Sequence, residues 1–198
     1  MPMNRIKQVI VVAVVATIAA RSSAWQTKGE VSGLQQALEM ARPGPQHERL
    51  GELAGNWDVL LRLGGDAATE TTGTGYASTI LDGRFLVLDF GLGEDQAGGS
   101  YRYTIGFDRR HDEYSIVVMD TNGTYFVTAR GAAGEGGMRM AGVDDDPQMQ
   151  SMGFEKKFLF ELSIEDPDAF SVELSFIDTR TADEKSIPYA KYHFERAY

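Results

Sequence analysis

Lys157-Phe158-Leu159-Phe160-Glu161-Leu162-Ser163-Ile164 and, across the turn Asp166-Pro167-Asp168, Phe170-Ser171-Val172-Glu173-Leu174-Ser175-Phe176 decide the fold. In an extended chain Phe158, Phe160, Leu162 and Ile164 fall on one side, as do Phe170, Val172, Leu174 and Phe176. A period of two marks a β-strand with one apolar face, because successive side chains point to opposite sides of the sheet. The turn between the runs is too short for a crossover, so the two strands pair antiparallel.

The same alternation recurs in Tyr101, Tyr103, Ile105 and Phe107, set against Arg102, Thr104 and Gly106. Working outward, turn signals punctuate the chain at Gly64-Gly65-Asp66, Asp82-Gly83, residues 91–99, 108–112, Asn122-Gly123, 131–137, 144–147, 166–168 and 179–185. Nine turns imply about ten strands joined as consecutive hairpins, with no helical segment long enough for a parallel connection. An open sheet of that size would leave unpaired edges, so the strands close or stack. The expected fold is all-β, an antiparallel up-and-down barrel of about ten strands, with a two-sheet sandwich as the alternative. Its length of 198 residues suits one domain with a real core.

Ahead of the strands, two short helical turns are expected. Residues 32–42 place Leu34, Leu38 and Ala41 on one stripe before Pro43-Gly44-Pro45 stops them, and 46–53 place His47, Leu50 and Leu53 near one face. The first 24 residues have a different character. Arg5 and Lys7 form a positive start, residues 9–20 are an apolar run, and Ser22-Ser23-Ala24 supplies small residues for cleavage. This is the pattern of a secretory signal, and the run is short for a membrane span. The organisation expected is a signal peptide at 1–24, a helical lead-in at 25–44 and a β-barrel domain at 45–198. Such a protein is exported, to the periplasm or the exterior, with no stable membrane insertion after cleavage. Removing that segment takes away three of 19 basic residues and none of 29 acidic ones, moving the net charge from −10 to −13. An acidic chain argues against a nucleic-acid partner. The absence of Cys excludes a disulfide scaffold, thiol catalysis and a lipoprotein anchor.

Catalytic and cofactor motifs are sparse. No G-x-S-x-G elbow, phosphate loop or H-E-x-x-H pair occurs, and no catalytic residue, metal site or cofactor is expected. Asp144-Asp145-Asp146 before Pro147 reads as a solvated turn, and Asn122-Gly123-Thr124 as a hairpin turn. His47 falls in the entry turn, where it bonds the backbone; His111 falls in a charged hairpin; His193 lies on the polar phase of the last strand with Tyr189, Lys191 and Glu195. A bulge in that strand would shift the phase by one. The positive sign is aromatic supply. Tyr76, Tyr101, Tyr103, Phe126 and Phe158 are the candidate lining of a small-molecule pocket, together with Asp89, whose phase with Phe85 and Val87 points it inward and for which Arg84 or Arg102 is a possible partner. The pattern leaves open whether the interior is a pocket or a packed core.

Gly55-Asn56-Trp57, opening the first strand after a helical turn, resembles the entrance motif of lipocalins and calycins. The resemblance implies that Trp57 closes one barrel end and that Arg196, in the last strand, lies over it. A closer resemblance covers nearly the whole of the mature chain. Residues 44–50 and 53–59 (Leu53-Ala54-Gly55-Asn56-Trp57-Asp58-Val59), Ile80-Leu81-Asp82-Gly83-Arg84-Phe85-Leu86 and Ile105-Gly106-Phe107-Asp108 are similar to the bacterial domain-of-unknown-function family numbered 1579. Asp82 stands where that family has Gly, and the segment after Asp144 departs most. The resemblance implies a lipocalin-like barrel and often export, and no established activity. Nitrobindin-like haem barrels share the opening but follow it with further Gly where this chain has Asp58-Val59-Leu60. The function expected is binding of a small apolar or amphipathic ligand inside the barrel. The alternatives are an enzyme using the same cavity, with Asp89 or His47 as acid or base, and a filled-core interaction module. Oligomeric state is beyond the sequence.

Overall fold

The alternating segments form ten strands of six residues or more, joined by a two-residue bridge. The computed structural model describes residues 28–64, 69–134, 136–153, 155–178 and 185–198. The expected signal segment at 1–24 lies outside these residues, as do Gly65, Asp66 and residues 179–184 of two expected turns. In chain order the strands are β1 (Gly55–Leu63), β2 (Thr69–Ile80), β3 (Phe85–Leu92), β4 (Ser100–Asp108), β5 (Glu113–Asp120), β6 (Phe126–Gly131), β7 (Ala133–Gly134), β8 (Gly137–Asp144), β9 (Lys156–Asp166), β10 (Ala169–Asp178) and β11 (Lys185–Arg196). Among the described residues three short α-helices accompany them: α1 (Lys28–Met40), α2 (Pro45–Gly51) and α3 (Pro147–Ser151). The first helix begins earlier than the 32–42 expected, and it lies outside the compact unit Pro43–Tyr198. Among the described residues no helix is long and apolar enough to cross a membrane.

Every paired strand is antiparallel, and neighbours in the sheet are neighbours in the chain, apart from the closing pairs β11–β1 and β6–β8. The result is a closed antiparallel barrel. β1 pairs β11 with Trp57 opposite Arg196 and Leu61 opposite Tyr192. β6 meets β8 at Arg130 and Ala141. That last seam is tight: a Cβ on Gly131 would run into the Arg139 carbonyl, and one on Gly142 into the Thr128 carbonyl. Glycine at both positions therefore lets the backbones approach and closes the sheet, which removes its edges.

One end is plugged by sequence features that lie close together in the chain. Pro45 starts α2, where its missing N–H is not needed. His47 Nδ1 accepts the Gly44 N–H at 3.0 Å, and its ring meets Phe107 edge-on at 6.0 Å. Leu50 and Leu53, one helical turn apart, are buried. The Trp57 indole N–H donates to the Leu53 carbonyl at 3.0 Å, and the ring packs edge-on against Phe170 at 4.7 Å. Arg196 lies over the indole, its guanidinium carbon 4.4 Å from the ring centroid. Such a pair contributes about 0.5–2 kcal/mol.

The Arg196 head also binds two separate segments, residues 52–54 and the β9–β10 turn. It donates to the carbonyls of Ala54 at 3.0 Å, Glu52 at 3.1 Å and Pro167 at 2.8 Å, and to Asp168 Oδ1 at 2.8 Å. Gly55, at φ +143°, makes room for it, since a Cβ there would collide with an Arg196 terminal nitrogen. The sequence requirement at Gly55 is thus steric as well as conformational. Substituting Arg196→Met keeps the apolar stem and removes these bonds. We expect a stability loss of about 2 kcal/mol or more, since three carbonyls and a carboxylate lose charged donors. Urea unfolding checks this; an unchanged midpoint would show that the tie is dispensable.

Candidate functional site

The interior is filled unequally along the barrel axis. Near the plug, Phe170 and Phe194 stack at 4.4 Å, and both are fully buried with Trp57. Toward the opposite mouth the inward residues leave a cavity of about 500 Å³. β1, β2, β5 and β6 contribute Leu63, Thr71, Val118 and Val127 to its lining. That volume is in the range of small-ligand sites.

Two aromatic groups wall the cavity. The first is Tyr101 and Tyr103 on β4 with Tyr192 on β11. Phe90 of β3 backs them, stacked on Tyr101 at 4.9 Å and edge-on to Tyr103 and Tyr192, each at 5.2 Å. The second is on β9, β10 and β11, where Phe158 lies 5.2 Å from Phe176 and Phe176 lies 4.9 Å from Tyr189. Tyr189 comes to this wall through a bulge. Leu174 pairs Ala190, but Ser175 pairs Pro188, so β11 carries one extra residue at Tyr189. The sequence phase set Tyr189 on the outer, polar face; the bulge moves it to the cavity rim. His193 lies beyond the bulge and remains outside, between Glu165 at 3.5 Å and Glu195 at 3.4 Å.

Polar groups converge at the same rim. The Tyr103 hydroxyl donates to Tyr192. Asn122 donates to the Tyr101 hydroxyl at 3.4 Å, and its N–H donates to Asp120 Oδ1 at 2.7 Å. Lys156 donates to Asp144 Oδ2 at 3.0 Å, has Asp146 at 3.8 Å, and lies 5.3 Å from the Phe158 ring centroid. Burial works against the Lys156 charge, but the bond to Asp144 and the surrounding negative charge outweigh it, so its pKa is raised. The Asp144-Asp145-Asp146 run is therefore more than the solvated turn expected: the Asp144 side chain is only 10% exposed and holds Lys156.

The sequence candidates divide between the two faces of the barrel wall. Tyr101, Tyr103 and Phe158 line the cavity. Tyr76, Phe126 and Asp89 do not. Tyr76 and Phe126 are 54% and 63% exposed on the outside. β2 turns Ala77 inward instead, and β6 turns Val127 and Ala129 inward. Asp89 is also outside, because β3 buries Leu86, Leu88, Phe90 and Leu92. That strand is apolar on both faces, so alternation within it carries no phase; pairing sets it, with Leu88 held between Ala77 and Tyr103. Asp89 forms a two-pronged ion pair with Arg102, at 2.6 and 2.9 Å, on the outer surface. Tyr189, Tyr192, Asp120 and Lys156 also line the cavity, beyond the residues expected from the sequence. Tyr192 was legible from the apolar phase of the last strand and Asp120 from that of Val118; Tyr189 and Lys156 depend on the bulge and on strand ends.

Burial keeps the Tyr103 and Tyr192 phenols protonated. Burial pushes Tyr103 well above its ordinary value, with the field of Tyr192 and the bond to it adding to the shift. Burial likewise raises Tyr192, helped by Tyr101 and opposed by the bond from Tyr103. In the unfolded chain both ionise near pH 10, below their folded-state values, so the unfolded state loses protons first. This contribution to stability is therefore intact below about pH 10 and is lost as pH rises above it. In an ultraviolet titration of the eight tyrosines, Tyr103 and Tyr192 should ionise only with unfolding. A single ordinary phenol transition in a still-native protein would contradict this.

No curated protein matches the chain. The family described as "Protein of unknown function (DUF1579)" matches residues 42–193. That span takes in the plug helix, the Gly55-Asn56-Trp57 opening and every strand but the last residues of β11. As the match covers most of the chain, the protein belongs to the DUF1579 family.

Proposed function

We propose that this protein is a carrier that holds one small amphipathic molecule in the open half of its barrel. The observation that supports it is the division of the interior: a packed, tied end and a 500 Å³ mouth with aromatic walls and a polar rim. An apolar body on Phe158, Phe160 and Leu174, with hydroxyl donors at the rim, suits a ligand with a greasy body and a polar head. The enzyme reading has less support. Asp89 is on the outer surface in an ion pair, and His47 is committed to the Gly44 N–H at the plugged end. Two of the cavity's tyrosines, Tyr103 and Tyr192, are held protonated by burial.

The test is binding of a neutral polarity-sensitive dye such as Nile red. Saturable one-to-one binding with a blue-shifted emission is expected. Thr71→Trp, which places an indole in the mouth from β2, should weaken it at least ten-fold while leaving the melting temperature within a few degrees. Failure of the dye to saturate on the native protein, or binding unchanged by Thr71→Trp, would overturn the carrier reading.

We further propose that the carrier works outside the cytoplasm. The charged start, apolar run and small residues ending at Ala24 support this. Sequencing the N-terminus of protein recovered from the periplasm or medium should begin at Trp25. Full-length protein confined to the cytoplasm would overturn it.

A further inference from the structure

Of the residues lining the mouth cavity, Asp120 and Lys156 carry charge. Their situations differ. Lys156 is already engaged by Asp144 and Asp146. Asp120 accepts one backbone N–H through Oδ1, and its field adds to the upward shift of Tyr103 and Tyr192. Within the lining one carboxylate stands against one ammonium; Asp144 and Asp146, behind Lys156, offset the ammonium and leave Asp120 as the net charge facing the cavity. An anionic head placed there would meet Asp120 and would have to compete with Asp144 for Lys156. A cationic head would meet neither obstacle.

The walls point the same way. Ring faces of Tyr and Phe are electron-rich and attract ammonium groups, most strongly where water is partly excluded. This wall already receives one, since Lys156 Nζ sits 5.3 Å from the centroid of Phe158. The chain as a whole carries a charge of −10, which draws cations toward any opening on it. Among the described residues no group of three His, Asp or Glu side chains converges to hold a metal ion, so the rim charge fits an organic cation better than a coordinated one.

We infer that the carried molecule is an organic cation, an amphipathic amine or quaternary ammonium. Its head lies against the rings of Tyr101, Tyr192 and Tyr189 within reach of Asp120, and its apolar tail runs down along Phe158 and Phe160. This rests on the carrier reading and gives it a ligand class. Recognition comes from ring faces and one carboxylate rather than from a directed hydrogen bond, so methylated and unmethylated amines are both accommodated.

The test compares three probes with the same ten-carbon chain, ending in trimethylammonium, hydroxyl or carboxylate, by calorimetric titration below their micelle concentrations. The trimethylammonium probe should bind tightest. Asp120→Asn keeps an acceptor for the Asn122 N–H and removes the charge. It should weaken the cation on the order of five-fold and leave the alcohol unchanged, while Asp120→Glu retains the preference. Far-ultraviolet circular dichroism of each variant confirms the fold. If the alcohol or the carboxylate binds as tightly as the cation, the carrier stands and the cation inference falls. A cation preference that survives Asp120→Asn would overturn the role given to Asp120. Binding of none of the three, with Nile red also failing to saturate, would remove the carrier reading itself.

Discussion

The Arg196 guanidinium is the tie on which the closed end depends. It reaches from the last strand to the carbonyls just before the first strand, to the β9–β10 turn and to the face of Trp57. A barrel whose first and last strands pair must bring distant parts of the chain together, and the entropy of that closure opposes folding. A charged head at the junction, with four acceptors and an indole beneath it, offsets part of that cost where the two ends meet. Gly55 belongs to the same arrangement, because any side chain there would displace the guanidinium.

From this tie the rest of the interior follows in order. Trp57 is held by Arg196 above and by its bond to Leu53, so α2 is drawn over the end and Leu50 and Leu53 are buried. Phe170 and Phe194 then fill the bore beside the indole. At the other end the aromatic side chains stand around the wall, with Thr71, Val118 and Val127 between them, and a cavity remains. One strand set thus supports a packed core and an open site, separated by height along the axis, so the choice between pocket and packed core resolves into both.

The fold was legible wherever one face of a strand was polar. β4 alternates cleanly; in β9 and β10 the apolar phase read from the sequence faces inward, while Leu159, Ser171 and Ser175 on the other phase are buried as well. The cavity lining was legible to the same extent, through Tyr101, Tyr103 and Phe158. It was not legible at Asp89, because β3 is apolar on both sides and its phase comes from neighbours at Ala77 and Tyr103. Tyr76 and Phe126 were misread for a related reason. An aromatic residue in a strand suggests burial, but in β2 and β6 the inward positions belong to small residues such as Ala77 and Ala129.

The sequence by itself determined the class of fold and the residues available to tie its end. Period-two alternation, hairpin turns and the Gly55-Asn56-Trp57 opening are local, and local patterns survive in one dimension. Tertiary structure alone decided which face of the uniformly apolar strand looks inward, that a bulge brings Tyr189 to the rim, and that Lys156 is held by Asp144 across a hairpin. These depend on pairing register, where a shift of one residue reverses every side chain. That register is set by contacts between strands, which no single strand encodes.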